Sequence, residues 1–174
     1  PPDGYTLFLA ASSVMSVNPV VIAKLPYDPL TSFAPVSLLS LQPLVIAVTA
    51  SLPVNSLQEL MALARAKPTL LNFASIGTST SLPYRHLLHL AQATIQEVPY
   101  KGAGPGLTAL IAGQIETMPI TLGTVYPQIQ AGKIKAYAVT TRKRLATLPD
   151  VPTAAEAGFP KIAITTWYGM YAPK

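Results

Sequence analysis

Eight stretches of the chain are dense in apolar, β-branched and aromatic residues and predict strands: Tyr5–Ala11, Val36–Ser40, Pro43–Thr49, Leu71–Ser75, Ile95–Tyr100, Ile115–Thr121, Ile134–Thr140 and Ile164–Ala172. Several lack apolar–polar alternation, as expected of strands covered on both faces. Between them the period lengthens. "NSLQELMALARAK" places Leu57, Leu60, Met61 and Ala64 on one helical face, and Ser56 with Glu59 three residues on predicts a capping box. A helical segment, "PYRHLLHLAQ", follows Leu82. "LTALIAGQ" predicts a short apolar helix closing near Gly113, and "YPQIQAGK" one ending at Gly132. "PTAAEAG" predicts a further helix, with a second capping box (Thr153, Glu156) and an end at Gly158. Strands alternating with helices predict an α/β fold with mainly parallel pairing. No internal repeat is present.

Composition adds a core-rich character: half of the 174 residues are hydrophobic and 11% are charged. That length suits one ordinary domain or two small lobes. The longest apolar runs, such as "PLVIAV", are too short to span a bilayer. No charged and then apolar leader opens the sequence, and "PPDGYTLFLA" reads as the middle of a longer protein. The absence of cysteine removes disulfides, thiol catalysis and thiolate metal sites. The net charge of +5 favours anionic partners. Its one basic cluster, Arg142–Arg144, reads as a solvated loop after a strand; nucleic acid would require a longer basic stripe with interleaved aromatics. Up to Gln58 the only charged residues are Asp3, Lys24 and Asp28, so the first third is expected to be covered by other segments or by another chain. The connection Lys24–Ser37 is long and marked by prolines, as functional or surface-wrapping loops often are.

Catalytic chemistry finds little support. His86 and His89 lie three apart on an apolar helical segment and could share a metal, but no third ligand accompanies them; packing or surface histidines is the plainer reading. No nucleophile elbow or carboxylate pair is present. "SIGTSTS" and "KGAGPG" match neither dinucleotide nor P-loop patterns. What repeats is a strand running into a small, polar or glycine-bearing corner, at "AASSVMS", "SIGTSTS", "YKGAGPG" and "ITLGTVYP". Ligands of parallel α/β sheets bind at such corners, and amides with hydroxyls form a donor set suited to a carboxylate. The competing reading is that these small residues only cap helices.

The segments "PDGYTLFLAASSVMSVNP", "KLPYDPLTSFAPVSLL", "VPYKGAGP", "LIAGQIETM", "AGKIKAYAVTTRKRLATLPDVPTAAEAGFP" and "WYGMYAP" together resemble the tripartite tricarboxylate transporter substrate-binding proteins, the TctC-like or Bug family of bacterial periplasmic receptors. The resemblance implies an α/β, type II periplasmic-binding-protein fold of the Venus-flytrap kind, closing on a small carboxylate that is handed to membrane permease subunits. It implies no enzyme activity, no cofactor and no nucleic acid partner. By motif, the ligand-binding residues would be Ala11, Ser12, Ser13 and Val14 in the first lobe. In the second they would be Ser75, Gly77, Thr78, Ser79, Thr80, Lys101, Gly102 and Thr121, the alternative for Lys101 being support of its loop.

The sequence also departs from the family pattern. A second glycine usual near Ser79 is missing, and relatives often carry an acid where Ile120 stands, which favours carboxylates lacking an ammonium group. Relatives extend beyond both ends, with an export signal and a first β-α-β unit before "PDGYTL" and further helices after "APK". The resemblance therefore implies a complete second lobe at 50–165 and a partial first lobe at 1–49 and 166–174. Exposed strands of an incomplete lobe invite self-association, so the alternative to a working receptor is a truncated, self-associating homologue without ligand binding.

Overall fold

The structure, a computed structural model, describes residues 2–174. In chain order its elements are β1 (Phe8–Ala11), a π-helical turn (Ser13–Val17), α1 (Asn18–Val21), β2 (Phe33–Thr49), α2 (Leu57–Ala66), β3 (Asn72–Ser75), α3 (Thr78–Leu90), β4 (Gln96–Pro99), α4 (Ala103–Ile111), β5 (Thr117–Thr121), α5 (Leu122–Gln130), β6 (Ile134–Val139) and β7 (Thr165–Pro173). The chain divides into two compact units: Pro1–Gln42 with Thr166–Lys174, and Pro43–Thr165.

The larger unit is a sheet in the order β6–β2–β5–β3–β4, covered on both faces. Strand β2 shows why alternation is absent from its sequence: Ile46 and Val48 enter one apolar cluster, and Val45 and Ala47 enter the other. On the first face lie α2, through Leu57, Leu60, Met61 and Ala64, and α3, through Tyr84, Leu87 and Leu88. Each such buried side chain contributes roughly 1.5–3 kcal/mol relative to exposure. The second face is covered by Ala109 and Leu110 of α4 and Val125 of α5, against Met118 and Ile120 of β5. Helix α2 starts as its sequence dictates: the Ser56 hydroxyl accepts from the Glu59 amide at 3.1 Å, while the Glu59 carboxylate accepts from the Asn55 amide at 2.8 Å.

Four expectations are corrected. Val36–Ser40 and Pro43–Thr49 are one strand, because the intervening "LQ" remains extended. The pairing is mixed: β3 pairs in parallel with β4 and β5, whereas β2 is antiparallel to both β5 and β6. The capping box at Thr153–Glu156 forms, with reciprocal bonds of 2.7 and 3.1 Å, yet the segment is a set of turns. A left-handed Gly158 and Pro160 leave no room to propagate a helix, and a nucleus of one turn is unstable alone. Helix α4 begins earlier than "LTALIAGQ" suggests, running through Gly104, Pro105 and Gly106. Proline is tolerated in a first turn. Gly106 lies so close to the sheet that a Cβ there would meet Met118 Cε at 3.0 Å and Ala74 Cβ at 3.4 Å.

Between α3 and β4, Arg85 donates to both Glu97 carboxylate oxygens, at 2.6 and 2.8 Å. This guanidinium holds the Glu97 carboxyl below its ordinary value. A carboxylate with a depressed folded pKa stabilises above its unfolded value and loses that contribution as pH falls through the folded one. Arg85→Gln is therefore expected to lower stability at pH 7 by less than about 1 kcal/mol, the arginine being half exposed. Urea titrations of both proteins should converge at acid pH, once the Glu97 carboxylate is protonated in the folded state.

The smaller unit orders its strands β1–β7–β2, with Phe8 opposite Tyr171 and Ala10 opposite Gly169. Phe33 gathers Phe8, Tyr27 and Tyr171 around it, with ring centroids 5.3 to 6.5 Å away. Most of its remaining apolar residues are uncovered. Along β2, Val36, Leu38 and Leu41 are 57–61% exposed, whereas Leu44 to Val48 are 0–2% exposed.

Candidate functional site

Three strand-to-helix corners share one edge of the larger unit's sheet, because β3, β4 and β5 run in the same direction. Ser75 lies opposite Pro99, and the Tyr100 amide donates to the Ser75 carbonyl at 2.8 Å, which sets the first two corners side by side. At each, a helix begins at once: α3 after Gly77, α4 after Gly102 and α5 after Thr121. None of the three has a side-chain cap, in contrast to α2. The first amides of a helix have no intrahelical acceptor and carry the positive end of its dipole. Those of Thr78 and Ser79, Ala103 and Gly104, and Leu122 and Gly123 are thus donors at one edge. This weighs against the reading that the small residues serve only as caps.

The predicted residues do not all present their side chains in the same way. Thr80 is buried, and its hydroxyl donates to the Gly77 carbonyl at 3.0 Å. The Ser81 hydroxyl donates to the same oxygen at 2.8 Å and also contacts the Ser75 hydroxyl at 2.8 Å. With the Ser81 proton on Gly77, the Ser75 proton is left to close that contact. Ser75 and Thr80 therefore brace the corner, while Thr78 and Ser79 keep hydroxyls without a partner among the described residues. Thr121 shares a 3.0 Å contact with Thr124. Gly102 has φ +100° and ψ 176°, a conformation essentially confined to glycine, and this aims the start of α4. Lys101 is exposed beside that start, a cation at the positive end of a helix. No acid occurs at 75–80, 100–103 or 121–124.

Ala11, Ser12, Ser13 and Val14 belong to the smaller unit, where β1 gives way to the π-helical turn. Ser12 is buried, and the Tyr27 hydroxyl donates to the Val14 carbonyl at 2.8 Å, holding that turn. His86 and His89 are exposed on α3, and no group of three metal-ligating side chains occurs among the described residues. Sequence reasoning missed the difference between bracing and free hydroxyls; the signal available was the spacing of Ser81 four residues after Gly77, which returns a hydroxyl to that carbonyl.

The fold is that of the periplasmic binding proteins of the type II, Venus-flytrap class. MatC from Rhodopseudomonas palustris, solved with bound malate, is 32% identical with a TM-score of 0.91, over 99% of this chain and 60% of its own. R. palustris Rpa4515, solved with adipate, is 35% identical with a TM-score of 0.94, over 100% of this chain and 59% of its own. Among curated proteins, BugT of Bordetella pertussis is 34% identical, over 99% of this chain and 54% of its own length. The sequence matches the tripartite tricarboxylate transporter family receptor over residues 1–174, and the chain belongs to that family. It spans about half the length of the curated relatives it matches.

Proposed function

We propose that this chain is part of a periplasmic receptor, not an enzyme, that captures a small di- or tricarboxylate for a tripartite tricarboxylate-type permease. The observation that carries the reading is the single edge with three uncapped helix starts and a neighbouring lysine, where Glu97, the acid beside Ser75, is paired with Arg85. Such an edge offers donors and partial positive charge to a ligand that only accepts. The malate and adipate of MatC and Rpa4515 support this ligand class. Ile120 is fully buried in an apolar cluster, so its position offers no carboxylate to an ammonium group, which supports acids without one. Native mass spectrometry with calorimetric titration tests the reading: malate or adipate should bind, and aspartate should bind more weakly. A chain empty as purified that takes up none of a broad panel of acids would refute it.

A second reading, a self-associating chain without ligand, is favoured by the smaller unit. Twelve of the fourteen exposed large apolar residues lie there, and a groove of about 550 Å3 is lined by Val36, Leu38, Leu41, Trp167 and Met170. Exposed apolar area of this kind promotes association. Light scattering after size exclusion should show a dimer or larger species at tens of micromolar concentration. Val36→Lys with Leu38→Lys, on one face of β2, should weaken association at least about tenfold. A wild-type monomer at that concentration would remove this reading.

A further inference from the structure

The larger unit brings a further segment to the carboxylate edge, one that reads in sequence as a solvated loop. Strands β5 and β6 are both antiparallel to β2, so they run parallel to each other and end together: Val45 pairs with Ile120 on one side and Val139 on the other. The Thr140 amide donates at 3.0 Å to the carbonyl of Leu44, the residue opposite Thr121. The loop leaving β6 is Thr141–Arg144, closed by the Thr141 hydroxyl donating to the Lys143 carbonyl at 2.7 Å. Arg144 is engaged, with Glu156 at 3.0 Å and the Pro149 carbonyl at 3.1 Å. Arg142 and Lys143 are exposed and have no ion pair among the described residues. Asp150 is the single acid of 141–152, so the charge left there is positive.

In the order β6–β2–β5–β3–β4, this pair follows one outer strand and Lys101 follows the other. Cations therefore flank both ends of the row of helix starts. The β6 loop leaves the sheet two strand spacings, about 10 Å, from the start of α5. That is about one Debye length at 0.1 M salt, so charges at that separation still interact.

We propose that Arg142 and Lys143 are specificity-determining residues that favour doubly and triply charged acids over singly charged ones. The inference rests on the carboxylate reading. The corner amides hold one carboxylate regardless of the rest of the molecule, whereas attraction to the flanking cations grows in proportion to total ligand charge. The effect falls mainly on association and fades with salt.

The test compares adipate with hexanoate, of equal chain length and half the charge, by stopped-flow binding to the full chain at about 20 mM and 500 mM salt. Arg142→Gln with Lys143→Gln should slow adipate association about five- to tenfold at low salt and hexanoate about two- to threefold, with both differences gone at high salt. Lys133→Gln, immediately before β6 and so at the opposite edge, should change either rate less than about twofold. Equal slowing of both acids, or none, would overturn the proposal while leaving the carboxylate reading intact. A wild-type chain that binds neither these nor other acids would overturn the carboxylate reading, and this one with it.

Discussion

Tyr84→Ala is expected to destabilise the larger unit by about 3–5 kcal/mol, a large part of the 5–15 kcal/mol typical of a whole domain. The side chain is fully buried between α3 and the sheet, edge-on to Phe73 with ring centroids 5.0 Å apart. Its hydroxyl shares a 3.0 Å hydrogen bond with Thr117 of β5, and burial pushes its pKa well above the ordinary phenol value, so it stays neutral. Removing the ring leaves a cavity and strands the Thr117 hydroxyl. Tyr84→Phe keeps the ring and loses only the hydrogen bond, for about 1–2 kcal/mol. Urea denaturation followed by far-ultraviolet circular dichroism measures both. The single tryptophan, Trp167, lies in the smaller unit, so its fluorescence follows that unit separately. A Tyr84→Ala protein with an unchanged midpoint would show that α3 is not anchored through this residue.

The second large effect concerns binding. Gly102→Val is expected to weaken carboxylate affinity at least about tenfold, with smaller loss of stability. A non-glycine residue at φ +100°, ψ 176° costs about 1–3 kcal/mol in backbone strain, so the corner relaxes and the amides of Ala103 and Gly104 turn away from the edge. There is open space around a Cβ at Gly102, so the effect is conformational and not steric. Calorimetric titration with adipate, alongside thermal unfolding, separates the two contributions. Unchanged affinity would mean that the start of α4 does not contact the ligand.

Much of the fold was legible locally. The amphipathic face of α2 and its Ser56 start, the helix ends at Gly113 and Gly132, and the small-residue corners at Ser75, Gly102 and Thr121 all follow from spacing and residue chemistry. Where local reasoning fell short, either a neighbour a few residues along or a distant contact had decided. The segment at Thr153–Gly158 has the side chains of a helix start but is stopped after one turn by Gly158 and Pro160. Gly106 reads as part of a glycine-bearing corner but is the contact where α4 crosses the sheet. Thr80 is expected at the ligand, and its hydroxyl proton is held by the Gly77 carbonyl.

The sequence by itself determined the alternation of elements, the helix starts and the motifs that mark the receptor family, because these depend on propensity, capping and neighbours a few residues apart. Tertiary structure alone decided strand direction. β2 enters the larger unit from the smaller one and therefore runs against β5 and β6, a consequence of connections between residues far apart in the chain. That direction places the end of β6, with Arg142 and Lys143, at the same edge as the start of α5. No local pattern records it, since a basic loop after a strand looks the same whichever way the strand runs.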